Sequence, residues 1–156
     1  MDFSAEKVYE LVMNPETETI QKYDDAYKDG RNIERFEAGD YKFSVGYSRY
    51  KGTMLVSDRD FCVGSVSFTD SEGRIISSAI SVEHPECPVV KKVVRAQLSI
   101  GGWLIVPDQE DPENKSYSYY ITNSDLKGSI PKSLVNSSSK GQGFLPMKMN
   151  ELLKKM

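Results

Sequence analysis

The spacing of apolar residues changes from helical to alternating near residue 32. Upstream, Ser4 is predicted to cap a first helix, and Asn14-Pro15 is predicted to end it. A second, more polar helical stretch is predicted for residues 16–29. The residues at helical spacing are Val8, Leu11 and Val12 in the first stretch, and Ile20, Tyr23 and Tyr27 in the second.

Downstream of this point, alternating apolar and polar residues predict strands. Their ranges are 32–36, 41–50, 59–68, 75–82, 93–106 and 117–123. Short turns separate most of them and no helical pattern intervenes, which favours an antiparallel meander. Gly101-Gly102, within the fifth range, predicts a bulge or a close approach of two backbones.

The last quarter of the chain predicts a helix that lies on this sheet. Ser129 is the expected cap, Pro131 is tolerated in the first turn, and the helix continues to Met156. Glycines within residues 137–143 each cost about 1 kcal/mol relative to alanine, so we expect an interruption there. Its apolar side carries Leu134, Leu145, Met149, Leu152, Leu153 and Met156. These elements predict an α+β fold.

Composition narrows the function classes. A net charge of -3 favours neither nucleic acid nor a standing attraction to anionic lipid. No apolar run approaches a membrane span, and the N-terminus has no signal-peptide pattern. The chain length favours a single domain over residues 1–156. Cys62 and Cys87 are expected to be free thiols in a reducing compartment, so we predict a cytoplasmic protein.

Several predicted strands carry small or polar residues at alternate positions. They are Ser44, Gly46 and Ser48, then Ser65 and Ser67, then Ser77, Ala79 and Ser81. If they face the helix, the interior is underfilled and a ligand cavity results. If they face water, they only mark the open side of the sheet. The pattern alone leaves both alternatives open.

The sequence contains few residues of the types that catalyse reactions or bind metals. The chain has one histidine, His84, so neither a histidine metal cluster nor a standard triad is expected. Arg59-Asp60 at a strand start is either an ion pair or an active-site pair, and the structural interpretation is favoured because charges at strand ends commonly fix loops. No glycine-rich phosphate loop is present. We therefore predict a protein that is not an enzyme and that has no metal and no cofactor.

A short apolar run, Met54-Leu55-Val56, lies on the connection between two predicted strands. Apolar residues on a connection face solvent unless other residues cover them. The run is either a gate or membrane-touching tip, or a core anchor for its own loop.

The sequence resembles the StAR-related lipid-transfer (START) family. The match rests on an ordered set of short motifs between Ser4 and the C-terminus. These are Arg59-Asp60-Phe61, Ser81-Val82-Glu83-His84-Pro85 with Pro88, Val94-Arg95-Ala96, Pro107, and the run from Asp125 to Asn136. The last motif is the most specific.

The resemblance implies a helix-grip fold, in which a long C-terminal helix closes a curved antiparallel sheet around one lipid. The resemblance also implies that Met54-Leu55-Val56 lies on a gate loop near the mouth of the lipid tunnel, and that this loop contacts the membrane transiently. It also favours the cavity alternative for the small residues. The implied lipid-binding residues are Asp24, Ser48, Tyr50, Val63, Ser65, Ala79, Leu98, Tyr120, Leu134 and Met149. The implied function is non-enzymatic lipid binding and intermembrane transfer; the alternative is a regulatory or interaction module.

The chain departs from the family pattern at its N-terminus. Family members usually carry a helix and three strands before the helix that begins here near Ser4. We therefore expect an N-terminally truncated domain with an uncovered sheet edge. Such an edge promotes association, so either a homodimer or an unstable chain is the expected consequence.

Head-group residues match the family's subclasses only in part. Sterol carriers have an acid–arginine pair where this chain has Gly46 and Ser65. Ceramide carriers resemble it at Asp24 and Tyr120. Their amide-bearing positions instead fall on Ser48 and Ala79, which do not match in kind. A buried acid needs a hydroxyl or amide partner, so a ceramide-like or other neutral or hydroxylated lipid is favoured.

Overall fold

The computed structural model describes residues 1–13 and 16–156, and these form four helices and seven strands. The helices are α1 (Ala5–Val12), α2 (Thr17–Gln21), α3 (Lys132–Gly143) and α4 (Leu145–Leu153). The strands are β1 (Tyr27–Ala38), β2 (Tyr41–Tyr50), β3 (Arg59–Thr69), β4 (Ile75–Ser81), β5 (Val94–Arg95), β6 (Gln97–Pro107) and β7 (Ser116–Asp125).

The strands form one sheet in the order β1-β2-β3-β4-β6-β7, and all neighbours in this order are antiparallel. The two-residue strand β5 pairs in parallel with β3 at Arg59 and Asp60. Together with the C-terminal helices, this arrangement confirms the predicted α+β class and the meander. Within the described residues, β1 and β7 are the two edges.

The second helix is much shorter than predicted. Only α2 is helical within residues 16–29, and Tyr27 begins β1 instead of ending a helix. Tyr27 is buried, pairs with Tyr50 of β2, and its ring meets the Tyr50 ring edge-on at 5.6 Å. Strand pairing thus overrides the helical spacing. The predicted end of the first helix, Asn14-Pro15, lies outside the described residues.

The predicted fifth strand is divided into β5 and β6. The Arg95 side chain binds buried Asp60, which draws β5 toward β3 rather than β4. The register shift falls between Leu98 and Ile100, so the bulge does not lie at Gly101-Gly102. The close approach does occur at Gly102, where an added Cβ would lie 2.1 Å from the Ser77 carbonyl oxygen.

The expected interruption of the last helix is present at Phe144, which separates α3 from α4. The helix begins later than predicted: Pro131 occupies the N-cap, and Ser129 lies outside the helix. The backbone at Lys127 and Gly128 is left-handed, with φ of 52° and 68°, and this turns the chain away from β7 before α3 starts.

The main core lies between helices α1 and α4 and strands β4 and β6. Among the described residues, its buried hydrophobic side chains are Ala5, Val8, Leu11, Tyr23, Ile75, Ile105, Leu145, Met149 and Leu153. Leu134 and Leu152 are half-buried and Met156 is exposed, so the apolar side of the last helix is used mainly by α4. The first turn of α1 is closed by Ser4, whose Oγ accepts from Lys7 N at 3.3 Å.

A smaller core covers the opposite face of the sheet. Tyr47 and Cys62, which pair across β2 and β3, pack there against Cys87. Both cysteines are free and buried. Burial and a hydrogen bond from Cys87 raise the pKa of Cys62 to about 12, so this thiol is protonated and unreactive near neutral pH.

Candidate functional site

The small alternate residues lie on the side of the sheet that faces the helices. Ser67 of β3 shares a hydrogen bond of 2.5 Å with the Tyr9 hydroxyl of α1. Ile75 of β4 packs against the helices in the main core. The residues in register with these two, or two positions along the same strand, lie on the same side. They include Ser44, Gly46, Ser48, Ser65, Ser77, Ala79 and Ser81.

These small residues form continuous rows across neighbouring strands. One row joins Ser44, Ser65 and Ala79, and the hydroxyls of Ser44 and Ser65 are 2.7 Å apart. Pairing of two serines across strands satisfies their polar groups without solvent. The helix-facing side of β2–β4 thus carries smaller side chains than the main core beside it.

A polar cluster borders this surface at Asp24, Tyr120 and Gln142. Asp24 follows α2, is 7% exposed, and accepts a hydrogen bond of 3.1 Å from the backbone N–H of Ala26. The Tyr120 hydroxyl donates to Oε1 of Gln142 at 3.0 Å. Burial raises the pKa of Asp24, while hydrogen bonds from the Ala26 backbone and the Gln142 side chain oppose that rise.

Aromatic side chains surround the polar cluster. Tyr50 contacts the rings of Tyr27 and Phe61 edge-on, at centroid distances of 5.6 and 5.7 Å. Tyr120 lies against Trp103 at 4.7 Å. Burial raises the pKa of Tyr50, and the charge of Asp24 adds to this effect. The polar cluster is therefore bordered by aromatic rings, and burial favours the neutral form of the Tyr50 phenol.

The other predicted lipid-binding residues fall in different surroundings. Val63 lies on the helix-facing side beside Gly46 and Ser81. Leu98 lies over Gly101, where an added Cβ would be 3.0 Å from its side chain. Met149 is fully buried in the main core. Leu134 is half-buried on α3, away from that core.

The apolar run between β2 and β3 forms an exposed tip. Met54 and Leu55 are 100% and 88% exposed, and a bridge between Thr53 and Val56 closes the loop beneath them. The core-anchor alternative is therefore wrong for Met54 and Leu55, and only Val56 is half-buried.

Asp58 holds the base of this loop. It accepts hydrogen bonds from Gly52 N at 2.8 Å, from Arg49 Nε at 2.8 Å and from Lys28 Nζ at 2.9 Å. These donors hold the pKa of Asp58 well below its usual range, with the Gly52 backbone contributing most. The loop is tied at its base and free at its apolar tip.

Sequence inspection did not single out Gln142 or a second feature, a cleft of about 420 Å³ beside α1. The sequence signal for Gln142 was weak because it lies between two glycines in a segment expected to be frayed. The cleft depends on tertiary packing of α1 against the β1–β2 hairpin. Its lining residues are Tyr9, Met13, Arg35, Phe36, Glu37, Lys42, Phe43 and Ser44.

The other residues considered for catalysis, Arg59, Asp60 and His84, make contacts that hold loops and strands in place. The predicted ion pair between Arg59 and Asp60 is wrong, because each side chain binds other partners. Arg59 donates to the carbonyls of Ser57, Leu126 and Lys127, and Asp60 binds Arg95. His84 Nδ1 accepts from the backbone of Glu86 at 3.1 Å. Across the described ranges, no cluster of metal-ligating side chains is present, and no helix has the length and apolarity needed to cross a membrane.

Comparison with known proteins decides the family. The START domain model matches residues 3–153. The chain belongs to the START domain family. This START chain is 36% identical over 83 residues to StAR-related lipid transfer protein 5 from Bos taurus, covering 53% of the chain and 38% of that relative. It is 29% identical over 153 residues to human START domain-containing protein 10, covering 98% of the chain and 49% of that relative.

Solved START structures share the fold. The crystal structure of human STARD10 superposes with a TM-score of 0.75 at 28% identity, covering 96% of this chain and 58% of that one. Human StAR-related lipid transfer protein 5 gives a TM-score of 0.82 at 22% identity, covering 99% of this chain and 72% of that one. This START chain spans less than half the length of the curated relatives it matches.

Proposed function

We propose that this START domain binds one lipid molecule between the helix-facing side of its sheet and the C-terminal helices, and transfers it between membranes without catalysing a reaction. The observation that supports this most directly is the row of small residues, such as Ser44, Ser65 and Ala79, on the side that faces the helices. Large side chains would fill that space; small ones leave it to a ligand.

Burial of the lipid's hydrocarbon would drive uptake, at roughly 25 cal/mol per Å² of apolar surface removed from water. Leu98, Val63 and Trp103 offer apolar surface on the helix-facing side. The half-buried Leu134 would cover the lipid from α3. Met149 supports the site from the core rather than lining it.

The lid would be α3 and the gate the loop that carries Met54 and Leu55. No residue of α3 is buried, whereas α4 is anchored by Leu145, Met149 and Leu153. Movement of α3 away from the sheet therefore costs less free energy than movement of α4. The exposed tip would enter the membrane interface while the lid opens, and this contact is transient because only two apolar side chains are fully available.

The polar end of the lipid would meet Asp24, Ser48 and Tyr120. A buried carboxylate repels a phosphate and requires donors, so a neutral or hydroxylated head group, such as that of a ceramide, fits better. Ser48 and Tyr50 lie two positions apart on β2 and therefore on the same side of the sheet, which places a second hydroxyl beside the cluster.

Native mass spectrometry after incubation with vesicles of mixed lipids tests the proposal. One discrete adduct per chain is the expected result, and its mass identifies the lipid class. A folded protein with no adduct would contradict lipid binding by this chain.

A homodimer through the edge of β7 is the association that we propose for the isolated chain. In the described part of the chain, β7 pairs with β6 on one side only. Its outer face also exposes Tyr117, Tyr119 and Ile121, each by more than half. An open edge next to apolar side chains favours addition of a strand from a second copy.

A further inference from the structure

Gln142 makes a polar contact between α3 and the sheet. It lies near the end of α3 between Gly141 and Gly143, and it is half-buried although no residue of the helix is fully buried. Its Oε1 accepts from the Tyr120 hydroxyl at 3.0 Å. Its carboxamide also lies near Asp24, where it opposes the rise in the pKa of that carboxyl group caused by burial.

The chemistry of these three groups is complementary. An ionised carboxylate only accepts hydrogen bonds, whereas a carboxamide has two N–H donors and one carbonyl acceptor. Gln142 can therefore supply a donor to Asp24 and an acceptor to Tyr120 at the same time. A lipid head group with a hydroxyl or an amide can make the same two interactions.

We propose that Gln142 is a specificity-determining residue of the lipid site, because its carboxamide binds Tyr120 and lies near Asp24, the same two groups that the head group of the bound lipid must satisfy. This inference rests on the proposed function. The head group and Gln142 compete for the same partners. A head group with both a hydrogen-bond donor and an acceptor can replace Gln142 at both groups. A head group with only acceptors can replace it at Tyr120 but offers no donor to Asp24.

The architecture allows this exchange without disturbance of the core. An added Cβ at Gly141 or Gly143 would meet no atom within 4 Å, so the chain around Gln142 lies in open space. The main core includes α4 residues but none from α3. Displacement of Gln142 therefore requires movement of α3 alone, with α4 held in place.

Gln142→Leu tests the competition. The variant keeps side-chain volume but leaves Asp24 and Tyr120 without this partner in the lipid-free protein, a state that carries the cost of unsatisfied buried groups. A lipid that supplies both interactions removes that cost, so it should bind the variant roughly tenfold more tightly than the wild type. A lipid that only accepts can satisfy Tyr120 but not Asp24, so its gain in affinity for the variant should be clearly smaller.

Two probes separate these cases: 1-monooleoylglycerol, which has two hydroxyls, and methyl oleate, which has only ester acceptors. Binding is followed by the fluorescence of Trp103, the single tryptophan of the chain, which lies 4.7 Å from the Tyr120 ring. A clearly larger gain in affinity for monooleoylglycerol than for methyl oleate in Gln142→Leu is the expected result. Gln142→Ala should shift affinity in the same direction.

Ser139→Ala is the matched control. Ser139 lies on the same helix, and its hydroxyl donates within α3, to the Val135 carbonyl at 3.0 Å. It should bind both probes like the wild type. Weaker binding of monooleoylglycerol by Gln142→Leu, or an equal change for both probes, would overturn the role of Gln142. A wild type that binds no lipid in native mass spectrometry would instead overturn the proposed function itself.

Discussion

The carboxylate of Asp60 is completely buried and accepts a hydrogen bond of 2.7 Å from Nε of Arg95. The same guanidinium donates to the carbonyls of Cys87 and Pro88. One side chain thus joins β3, β5 and the loop before β5. The pair explains why β5 leaves the path of the meander and runs parallel to β3.

Removal of Arg95 should be strongly destabilising. Arg95→Leu leaves Asp60 as an uncompensated buried charge, and we expect a loss of roughly 3–5 kcal/mol in the free energy of unfolding. Urea denaturation measures it. Arg74→Leu is the control, because Arg74 also binds an aspartate, Asp70, at 2.7 Å but at a half-exposed turn. Its loss should be within about 1 kcal/mol; equal losses in both variants would contradict the role of burial.

Asp58→Asn should loosen the gate loop and lower stability by about 2 kcal/mol at neutral pH, since it weakens hydrogen bonds to charged donors. The pKa of Asp58 is lowered in the folded state, so its contribution is present above the usual value of 3.8 and is lost as the pH falls through the folded value. The stability difference between wild type and variant, measured by thermal unfolding from pH 7 to pH 2, should therefore shrink below about 3.8. A difference that does not depend on pH would contradict this assignment.

The exposed tip should matter for transfer and not for folding. Met54→Ser combined with Leu55→Ser removes apolar side chains that contact little of the protein. We expect several-fold slower lipid transfer between vesicles with an unchanged melting temperature. Ile80→Ser with Tyr119→Ser is the comparison, because these residues are exposed on the outer face of the sheet. If both pairs slow transfer equally, the tip has no special role.

Two glycines should respond oppositely to alanine. Gly102→Ala places a Cβ 2.1 Å from the Ser77 carbonyl oxygen, so backbone must move and we expect a loss of about 1–3 kcal/mol. Gly141→Ala meets no atom within 4 Å on α3, and helix propensity should then raise stability by up to about 1 kcal/mol. Denaturation of the two variants side by side checks the prediction; destabilisation by Gly141→Ala would show that α3 needs flexibility there to fold.

Dimer formation through β7 should increase with protein concentration and should require an unpaired β7 edge that can accept a strand. Size-exclusion chromatography with light scattering should give a mass that rises toward a dimer as concentration increases. Tyr119→Lys adds a charge to the outer face of β7, where charged residues oppose strand addition, and it should restore the monomer. Phe36→Lys, on the other edge strand, is the control. A wild type that remains monomeric at all concentrations would exclude the dimer.

Sequence patterns were sufficient for the elements whose local signals and tertiary demands agree. Ser4 caps α1, β2 spans Tyr41–Tyr50 as predicted, and the glycine-containing segment before Phe144 interrupts the last helix. Alternation and helical spacing identify such elements because each follows from a single chain segment. The family resemblance rested on motifs along the whole chain, and the family model confirms it.

Tertiary structure decided what depends on partners distant in sequence. Tyr27 has helical spacing but pairs with Tyr50, and β5 joins β3 because Arg95 binds Asp60. Alternation identified the small residues but not the side they face, since a period of two is identical for both faces; packing of α1 on Ser67 settles it. Gln142 meets Tyr120 across 22 residues of chain, and only the fold brings such groups within hydrogen-bond distance.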